Sequence, residues 1–517
     1  MAQGNGRVPG VEARAGKFPG PSLVPSLHAI QREHGWLPRE QLVKLARDTR
    51  RPLYEIEGLV SFYPHFRTGP KEGLEVAVCR DLSCRLSRGH AVIPEGAVVH
   101  EVSCVGRCDQ APVAVVEERY PEALRGSERR PNDPYAGAGE HYRVLREFTG
   151  DPVAILNDSG LKGMGGAGFP TGRKWDMVRG QDAGPKYVIC NADEAEPGTF
   201  KDRQILAEQP HLVIEGMALA MRTIGAEQAW VFIRHEYEPE ERILREEIER
   251  ARAVGVLDGV SIDIFTSPGG YILGEETALI ECMEGHRGEP RNKPPFPGGY
   301  GLHGLPTLMN NVETFASVPI ILERGARWWC EQGVNGGAGL KFFSVSGHVE
   351  RPGVFCVPGG TTVGDVIALA GGIRDGSALG AVQPGGASTN FLGPDCHELP
   401  LTFEAVAEAG SALGTGAMVV LADGTDLLAA ATNVLNFFRN ESCGKCVPCR
   451  VGSNKAHGIL VDVLERGGGA TDVDERIDEL EETLRLTSIC GLGQVALGPV
   501  MSVLRMQREP ALEGPRS

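Results

Sequence analysis

The spacing of apolar positions changes character several times along this chain, and each change predicts a new structural layer. Residues 22–70 carry helical periodicity: Leu23, Leu27 and Ile30 recur at helical intervals in SLVPSLHAIQREHG, and Leu42, Leu45 and Ala46 share one side of PREQLVKLARDTR. From residue 74 the texture turns strand-like, with LEVAVC, AVVHEVSC and APVAVVEE as short apolar runs. Residues 118–145, including ERRPNDPYAGAGE, are polar and rich in Pro and Gly, which predicts a linker or surface excursion. Between about 150 and 335, strands such as KYVIC and AWVFIRHE alternate with helical stretches such as PEERILREEIERARAVG, the pattern of an α/β domain. Residues 341–425 return to short strands (KFFSVSGHV, GVFCVPGG, AMVVLADG) with one helix near TVGDVIALA, and from 427 onward the pattern is helical again.

Size and charge narrow the function classes. A chain of 517 residues exceeds what one hydrophobic core organises, so several domains are expected. The net charge of −16 repels phosphate backbones and argues against a nucleic-acid partner. No apolar run reaches the ~18–20 residues that cross a bilayer, so direct membrane insertion is not expected. The opening MAQGNGRVPG lacks the basic-then-apolar order of a signal peptide, and a cytoplasmic location is expected. In that compartment the 13 cysteines read as metal ligands or reduced core residues rather than disulfides.

Eight of those cysteines fall into two sets. Cys443, Cys446 and Cys449 stand at C-x2-C-x2-C spacing in ESCGKCVPCR, and Cys490 in SICGLG can supply a fourth thiolate. Four thiolates suit a [4Fe–4S] cluster or structural zinc, and ligand softness alone does not separate the two. Nearer the N-terminus, Cys79 and Cys84 form C-x4-C and Cys104 and Cys108 form C-x3-C, each pair after a strand-like run. This set suits a [2Fe–2S] centre, with zinc or plain buried thiols as the other readings. Cys190, Cys282, Cys330, Cys356 and Cys396 have no ligand spacing and are expected in the core.

Glycine is the most over-represented residue, 69 of 517, about 13% against a usual ~7%. It concentrates in LKGMGGAGFPTGRKW, where Gly163, Gly165, Gly166, Gly168 and Gly172 let backbone approach a ligand and present N–H groups to phosphate. Phe169 offers an aromatic face, and Arg173 and Lys174 offer charge. The loop is neither a P-loop nor a full dinucleotide fingerprint, since no strand clearly precedes it. Two acidic segments, CNADEAEPGTFKDR and GGYILGEETALIECMEG, place Asp193, Glu194 and Glu196, then Glu275 and Glu276, beside glycine or proline. Carboxylates there can accept from ribose hydroxyls or ring N–H groups. RNKPPFPGGYGLHGLPTLMNNVET adds Phe296 and the amides Asn310 and Asn311, which can both donate and accept at a flavin edge.

In this order, GMGGAGFPTGRKW, CNADEAEPGTFKDR, GEETALIECMEG, KPPFP, NNVET, ESCGKCVPCR and SICGLG resemble the flavin- and NADH-binding subunit of respiratory complex I over residues 150–517. The first 147 residues resemble the small partner subunit of the same module, a helical start followed by a thioredoxin-like [2Fe–2S] domain. Fusion of the two in one chain resembles the diaphorase subunits of NAD-reducing hydrogenases and of NAD-dependent formate dehydrogenases. Length and compact ending look most like the formate dehydrogenase beta subunit.

The resemblance implies a multidomain α/β architecture: a helical segment (1–72), a shortened thioredoxin-like domain (73–147), a Rossmann-like FMN/NADH domain (148–335), a ubiquitin-like β-grasp domain (336–426) and a four-helix bundle with [4Fe–4S] (427–517). It implies FMN against Gly163, Gly165, Gly166, Lys174, Asn191, Asp193, Glu194, Gly274, Glu275, Glu276, Asn310 and Asn311, with Tyr271 and Thr314 as further cofactor-binding residues. NAD(H) then stacks its nicotinamide on the flavin, with the adenine near Phe169 and Phe296, and with Glu196 and Glu276 facing ribose or amide. Glu194, Glu196 and Glu276 are the groups expected to position the nucleotide and tune the flavin, and Glu196 near a ribose favours NADH over NADPH. Cys443, Cys446, Cys449 and Cys490 are implied as [4Fe–4S] ligands, and Cys79, Cys84, Cys104 and Cys108 as [2Fe–2S] ligands; in that company zinc recedes. The implied partners are a molybdenum- or tungsten-bearing formate dehydrogenase alpha subunit and a small [2Fe–2S] gamma subunit. A hydrogenase or complex I module, and a non-catalytic electron-transfer or assembly subunit, are the alternatives. Three departures stand out: Met164 where the family commonly has Arg, so that a phosphate contact is lost or moves to Lys162; Leu273 in place of a frequent cysteine; and only 19 residues between Cys84 and Cys104, which predicts a missing helix.

Overall fold

The computed structural model describes residues 22–123 and 130–508, so the opening MAQGNGRVPG lies outside the described residues. Three helices come first: α1 (Val24–His34), α2 (Arg39–Thr49) and α3 (Leu53–Val60). A proline in its first turn sets the entry of α1, and Gly35, in the left-handed region at φ 77°, closes it by donating to the Gln31 carbonyl. Leu23, Leu27, Ile56 and Leu59 point into one apolar cluster with Leu273, Leu279 and Phe437 from far along the chain, so these helices are part of the body.

A small sheet follows. Strands β1 (Glu75–Cys79), β2 (Val98–Val102) and β3 (Ala114–Val116) run in the order β2-β1-β3, with β1 parallel to β2 and antiparallel to β3. Between β1 and β2 there is one short helix, α4 (Leu82–Arg85), and turns thereafter, as expected of the shortened spacing. Residues 130–147 are no free linker: Tyr135 and Tyr142 are buried, their hydroxyls donate to Glu215 and Glu247, and α5 (Arg143–Glu147) packs behind them. Pro, Gly and charge dominate that segment's composition and hide the few apolar anchors that fix it. Part of it, 124–129, lies outside the described residues.

The central domain begins with α6 (Pro152–Ser159) and α7 (Thr171–Arg179), then β4 (Tyr187–Ala192), α8 (Lys201–Glu208), α9 (Pro210–Ile224), β5 (Gln228–Arg234), α10 (Glu238–Ala253) and β6 (Ser261–Ser267). It continues through α11 (Glu276–Met283), α12 (Pro297–Tyr300), β7 (Thr307–Asn311), α13 (Val312–Arg324) and α14 (Ala326–Glu331). The four strands are parallel in the order β6-β5-β4-β7. Both faces of such a sheet must be covered, which explains the near-continuous apolar strands. Val188, Cys190, Val231 and Leu308 pack toward α9 and α13, while Ile189, Phe232, Phe265 and Met309 pack toward α11 and the N-terminal helices. The chain leaves β4 toward β5 and returns on its other side at β7. The carboxyl ends of β4 and β7 therefore form a topological switch point, where open α/β sheets leave a crevice for ligands.

Next come β8 (Leu340–Gly347), β9 (Gly353–Pro358), α15 (Val363–Leu369), β10 (Leu379–Gln383), α16 (Phe403–Glu408) and β11 (Ala417–Ala422), with the mixed order β10-β11-β8-β9 around Phe343, Val345, Val366 and Val420. Helices α17 (Leu427–Asn440), α18 (Ser453–Glu465), α19 (Arg476–Thr487), α20 (Gly491–Val495) and α21 (Gly498–Arg508) complete the described chain. Among the described residues no helix is long and apolar enough to cross a membrane.

Candidate redox site

The glycine-rich loop joins two helices, α6 and α7, which is why no strand precedes it. Gly163 N–H donates to the Phe169 carbonyl at 2.8 Å and closes the loop on itself. Met164 is buried, and its N–H donates to Thr314 Oγ1 at 2.9 Å, so the loop hangs on the start of α13. Gly165 lies flat on Asn311 at the end of β7: a Cβ there would stand 3.1 Å from the Asn311 Cβ. Gly166 has φ 110°, a conformation other residues rarely adopt. Lys162 does not turn into the loop; it pairs with Glu404 and sits 5.0 Å over the Phe403 ring. Of the two expectations for the phosphate contact, loss or transfer to Lys162, the pairing of Lys162 with Glu404 on α16 favours loss. Phe169 and Phe296 remain 41% and 58% exposed, unusual for large aromatics and consistent with faces kept open for a ring.

Facing the loop, the register pairs Cys190 with Asn310 and Asn191 with Asn311, so the β4 and β7 ends present their amides side by side. Asn310 Oδ1 accepts from Trp175 Nε1 at 2.9 Å. Asn311 caps α13 through Glu313 N–H and donates to Asp202 Oδ2 at 2.5 Å. Asn191 donates to the Gly274 carbonyl at 2.9 Å, tying the β4 end to the turn Tyr271–Gly274.

The carboxylates divide by what they already hold. Asp193 is buried, its Oδ2 has no hydrogen-bond partner, and burial pushes its carboxyl up to about 7. Glu196 is also raised to about 7 by burial, and its Oε1 accepts from Ser388 N–H of the β-grasp region at 2.7 Å. Burial and the nearby Asp202 charge raise Glu194 to about 7. Its two oxygens accept from Asp202 N–H and Arg203 N–H at the start of α8, at 2.8 and 3.0 Å, and from Tyr237 Oη. Glu194 thus holds the start of α8 and the Tyr237 hydroxyl. Glu275 caps α11 through Thr277 and Ala278 N–H. Glu276 lies 3.0 Å from Lys293 Nζ and 3.7 Å from Lys174 Nζ; burial opposes its charge, but the two cations hold its carboxyl below the ordinary range. Lys293, Lys201 and Asp202 lie inside the sequence motifs, yet the sequence assigns them no role. No spacing signal separates them from surface charges, because their roles come from tertiary pairing.

Both cysteine sets are brought together. Cys79 ends β1, Cys84 lies on α4, and Cys104 and Cys108 flank a turn after β2, their sulfurs 3.3 Å apart. Sulfhydryl contacts join Cys79 to Cys84 and Cys104. Arg234 Nη2 donates to the Cys104 carbonyl at 2.8 Å and Arg203 Nη1 to the Gly106 carbonyl at 2.7 Å, so the central domain grips this turn. In the second set, Cys443 and Cys446 follow α17, Cys449 sits in a π-helical turn (Pro448–Gly452), and Cys490 caps α20. Backbone N–H groups of Leu492 and Gly493 point at Cys490, and burial raises the Cys449 and Cys490 thiols to about 11 and 12. Cys330, expected in the core, is exposed; its Sγ rests on the end of α6.

These residues fit the groups that the motifs imply. A buried Asp193 oxygen without a donor suits a ring N–H or hydroxyl, the glycine loop leaves room where side chains would stand, and each set of four neighbouring soft donors, in pairwise contact rather than one tight cluster, suits an iron–sulfur centre. Fold and site together define a flavin- and iron–sulfur-dependent NAD(H) oxidoreductase subunit. Residues 156–320 match the Nuo51 FMN-binding domain, 429–513 the NADH-ubiquinone oxidoreductase-F iron-sulfur binding region, 16–129 the thioredoxin-like [2Fe-2S] ferredoxin and 342–391 the SLBB domain. The NADH-quinone oxidoreductase F subunit of Mycobacterium tuberculosis is 39% identical over 404 residues, 76% of this chain and 91% of that protein. The NADP-reducing hydrogenase subunit HndC of Solidesulfovibrio fructosivorans is 40% identical over 371 residues, 70% of this chain and 75% of that protein. A crystal structure of an NAD+-reducing [NiFe]-hydrogenase in the H2-reduced state aligns with TM-score 0.83 and 30% identity over 97% of this chain and 94% of its own. The chain belongs to the family of NADH-quinone oxidoreductase F subunits, the flavin-binding subunits of complex I. The expected multidomain α/β architecture and the FMN, [4Fe–4S] and [2Fe–2S] content of the family are thereby borne out.

Proposed function

We propose that the chain is the diaphorase subunit of an NAD-dependent formate dehydrogenase, exchanging electrons between NAD(H) and a molybdenum- or tungsten-bearing alpha subunit, with a small [2Fe–2S] gamma subunit alongside. The observation that carries the diaphorase reading is adjacency. The crevice at the β4 and β7 ends, suited to a two-electron cofactor, is tied through Tyr271 to the helix that leads into the Cys443 set. FMN rests against Gly163, Gly165, Gly166, Asn191, Asp193, Gly274, Asn310, Asn311 and Thr314. Phe169 and Phe296, with Lys174, Glu196, Glu275, Glu276 and Lys293, are the residues that would hold NAD(H) beside it.

FMN held there would supply the exchange between two-electron hydride chemistry and one-electron transfer that links NAD(H) to iron–sulfur centres. The chain's own residues supply position and field. Asp193 Oδ2, near neutrality between its two protonation states, holds or releases a proton at the cofactor edge. Glu276, kept ionised by Lys174 and Lys293, receives donors from the nucleotide. Asn310 and Asn311, oriented by Trp175 and Asp202, fix the plane of the ring. The fused thioredoxin-like domain supports a diaphorase of the formate dehydrogenase or hydrogenase type over a separate complex I subunit. A second reading, the diaphorase subunit of an NAD-reducing hydrogenase, is favoured by the likeness that spans 97% of the chain.

Purified protein is expected to be yellow-brown, to contain FMN, iron and acid-labile sulfide, and to reduce ferricyanide with NADH in preference to NADPH. A colourless preparation holding stoichiometric zinc would falsify the diaphorase reading. Affinity purification under native conditions, with metal analysis, separates the partners: molybdenum or tungsten supports formate, and nickel supports hydrogen.

A further inference from the structure

Glu441 is the C-terminal cap of α17, two residues before Cys443, and the expected chemistry assigns it nothing. Its carboxylate is divided between two distant parts of the chain. Oε1 accepts from Ser103 Oγ at 2.5 Å, and Ser103 immediately precedes Cys104. Oε2 accepts from Tyr271 N–H at 2.8 Å, and Tyr271 opens the turn whose last residue, Gly274, is bonded by Asn191. The Tyr271 ring packs edge-on against Phe437 of the same helix, with centroids 5.0 Å apart, so the tie to the flavin side is made by packing as well as by the backbone. Among the described residues no Lys, Arg or His lies within ion-pair distance of Glu441, unlike Glu276 with its two lysines. Asn433 on α17 adds a second tie to the [2Fe–2S] side by donating to the Arg80 carbonyl, next to Cys79.

From this geometry we propose that Glu441 is a positioning residue common to all three redox centres: it ties the flavin-side turn and both ligand loops together and places one carboxylate, with no cation in ion-pair distance, between the two ligand loops. The proposal rests on the diaphorase reading. Two donors on one carboxylate fix the relative placement of Tyr271, Ser103 and Cys443. A hydrogen bond to a charged group is stronger and more directional than a neutral one. The charge has a separate consequence. Adding an electron to a cluster beside a fixed anion is disfavoured, since reduction potentials of such clusters follow local charge and hydrogen bonding. Glu441 thus lowers the reduction potential of both clusters, which a purely structural strut would not do.

The test is redox titration of the full-length protein with both cluster signals followed by electron paramagnetic resonance, comparing wild type with Glu441→Gln. Glutamine keeps the shape and removes the charge. Both cluster potentials are expected to rise while iron and FMN content stay at the wild-type level. Unchanged potentials in a fully loaded Glu441→Gln protein, or a shift in one cluster alone, overturn the proposal. Absence of cluster signals from wild type would instead overturn the diaphorase reading. Should Glu441→Gln fail to load iron, Ser103→Ala decides: it cuts one tie and keeps the charge. It is expected to shift the [2Fe–2S] signal and leave the [4Fe–4S] signal unchanged; a change in neither signal, or in both, overturns the shared role.

Discussion

A carboxylate oxygen buried without a donor costs stability, and Asp193 Oδ2 carries that cost in this fold. Its carboxyl ionises near ~4 in an unfolded chain but only at about 7 in the fold. Between those values the folded state holds a proton that the unfolded state has lost, so the stability of flavin-free protein falls as pH rises through that window. Asp193→Asn removes the slope and is expected to make the protein more stable at pH 8 by on the order of 3 kcal/mol. Urea unfolding at pH 5 and pH 8 measures this; an equal slope in both proteins would rule it out. The same variant should bind FMN more weakly, because Asn offers one acceptor where Asp offers two and sets an NH2 donor beside the ligand's donor. Gly165 makes a separate claim. With a Cβ 3.1 Å from that of Asn311, Gly165→Ala must shift the loop or Asn311 by a few tenths of an ångström, which is expected to lower FMN affinity by up to roughly tenfold without unfolding the domain. Quenching of FMN fluorescence on titration into apoprotein reads the change.

At the scale of elements, the site is built by helix starts and strand ends. Helix α8 begins on Glu194, whose oxygens take its first N–H groups, and Asp202 in that first turn then holds Asn311. Glu194→Ala is therefore expected to cost about 1–3 kcal/mol and to weaken FMN binding through Asp202. Glu194→Gln, which keeps one acceptor, should recover part of both effects in thermal melts and flavin titrations. The DEAEP motif shows Glu194 and Glu196 as equals two residues apart. Only the packed structure separates them: Glu194 turns inward to α8 and Tyr237, and Glu196 reaches the Ser388 amide across the domain boundary.

For the molecule as a whole, the thioredoxin-like domain is held from outside. Its own apolar cluster is little more than Cys79, Val105, Val113 and Val115, too small to stabilise a domain alone. Buried arginines of the central domain make up the difference: Arg234 binds the Cys104 and Glu194 carbonyls and pairs with Glu236, and Arg203 binds the Gly106 carbonyl and Asp109. Removing one partner of such a buried pair leaves the other charge unsatisfied, at about 3–5 kcal/mol. Arg234→Gln is expected to release the Cys104 turn and lose the [2Fe–2S] resonance while the protein keeps FMN and its [4Fe–4S] signal. Retention of all three would show that the small domain stands by itself.

The order of elements, the two thiol sets and the glycine loop were legible in the sequence because they rest on local information: apolar period, ligand spacing, and residues that only certain backbones accept. KYVIC and AWVFIRHE announced β4 and β5, and the short span from Cys84 to Cys104 announced the missing helix. What only the tertiary structure decided is which charges meet. Lys162 belongs to Glu404, Glu194 to α8, and Glu441 to Ser103 and Tyr271, partners from 8 to 338 residues away in the chain. Burial likewise sets Asp193 apart from the carboxylates around it, and burial is a property of the packed whole. Long-range pairing leaves no period in a sequence, since each partner alone looks like an ordinary surface charge.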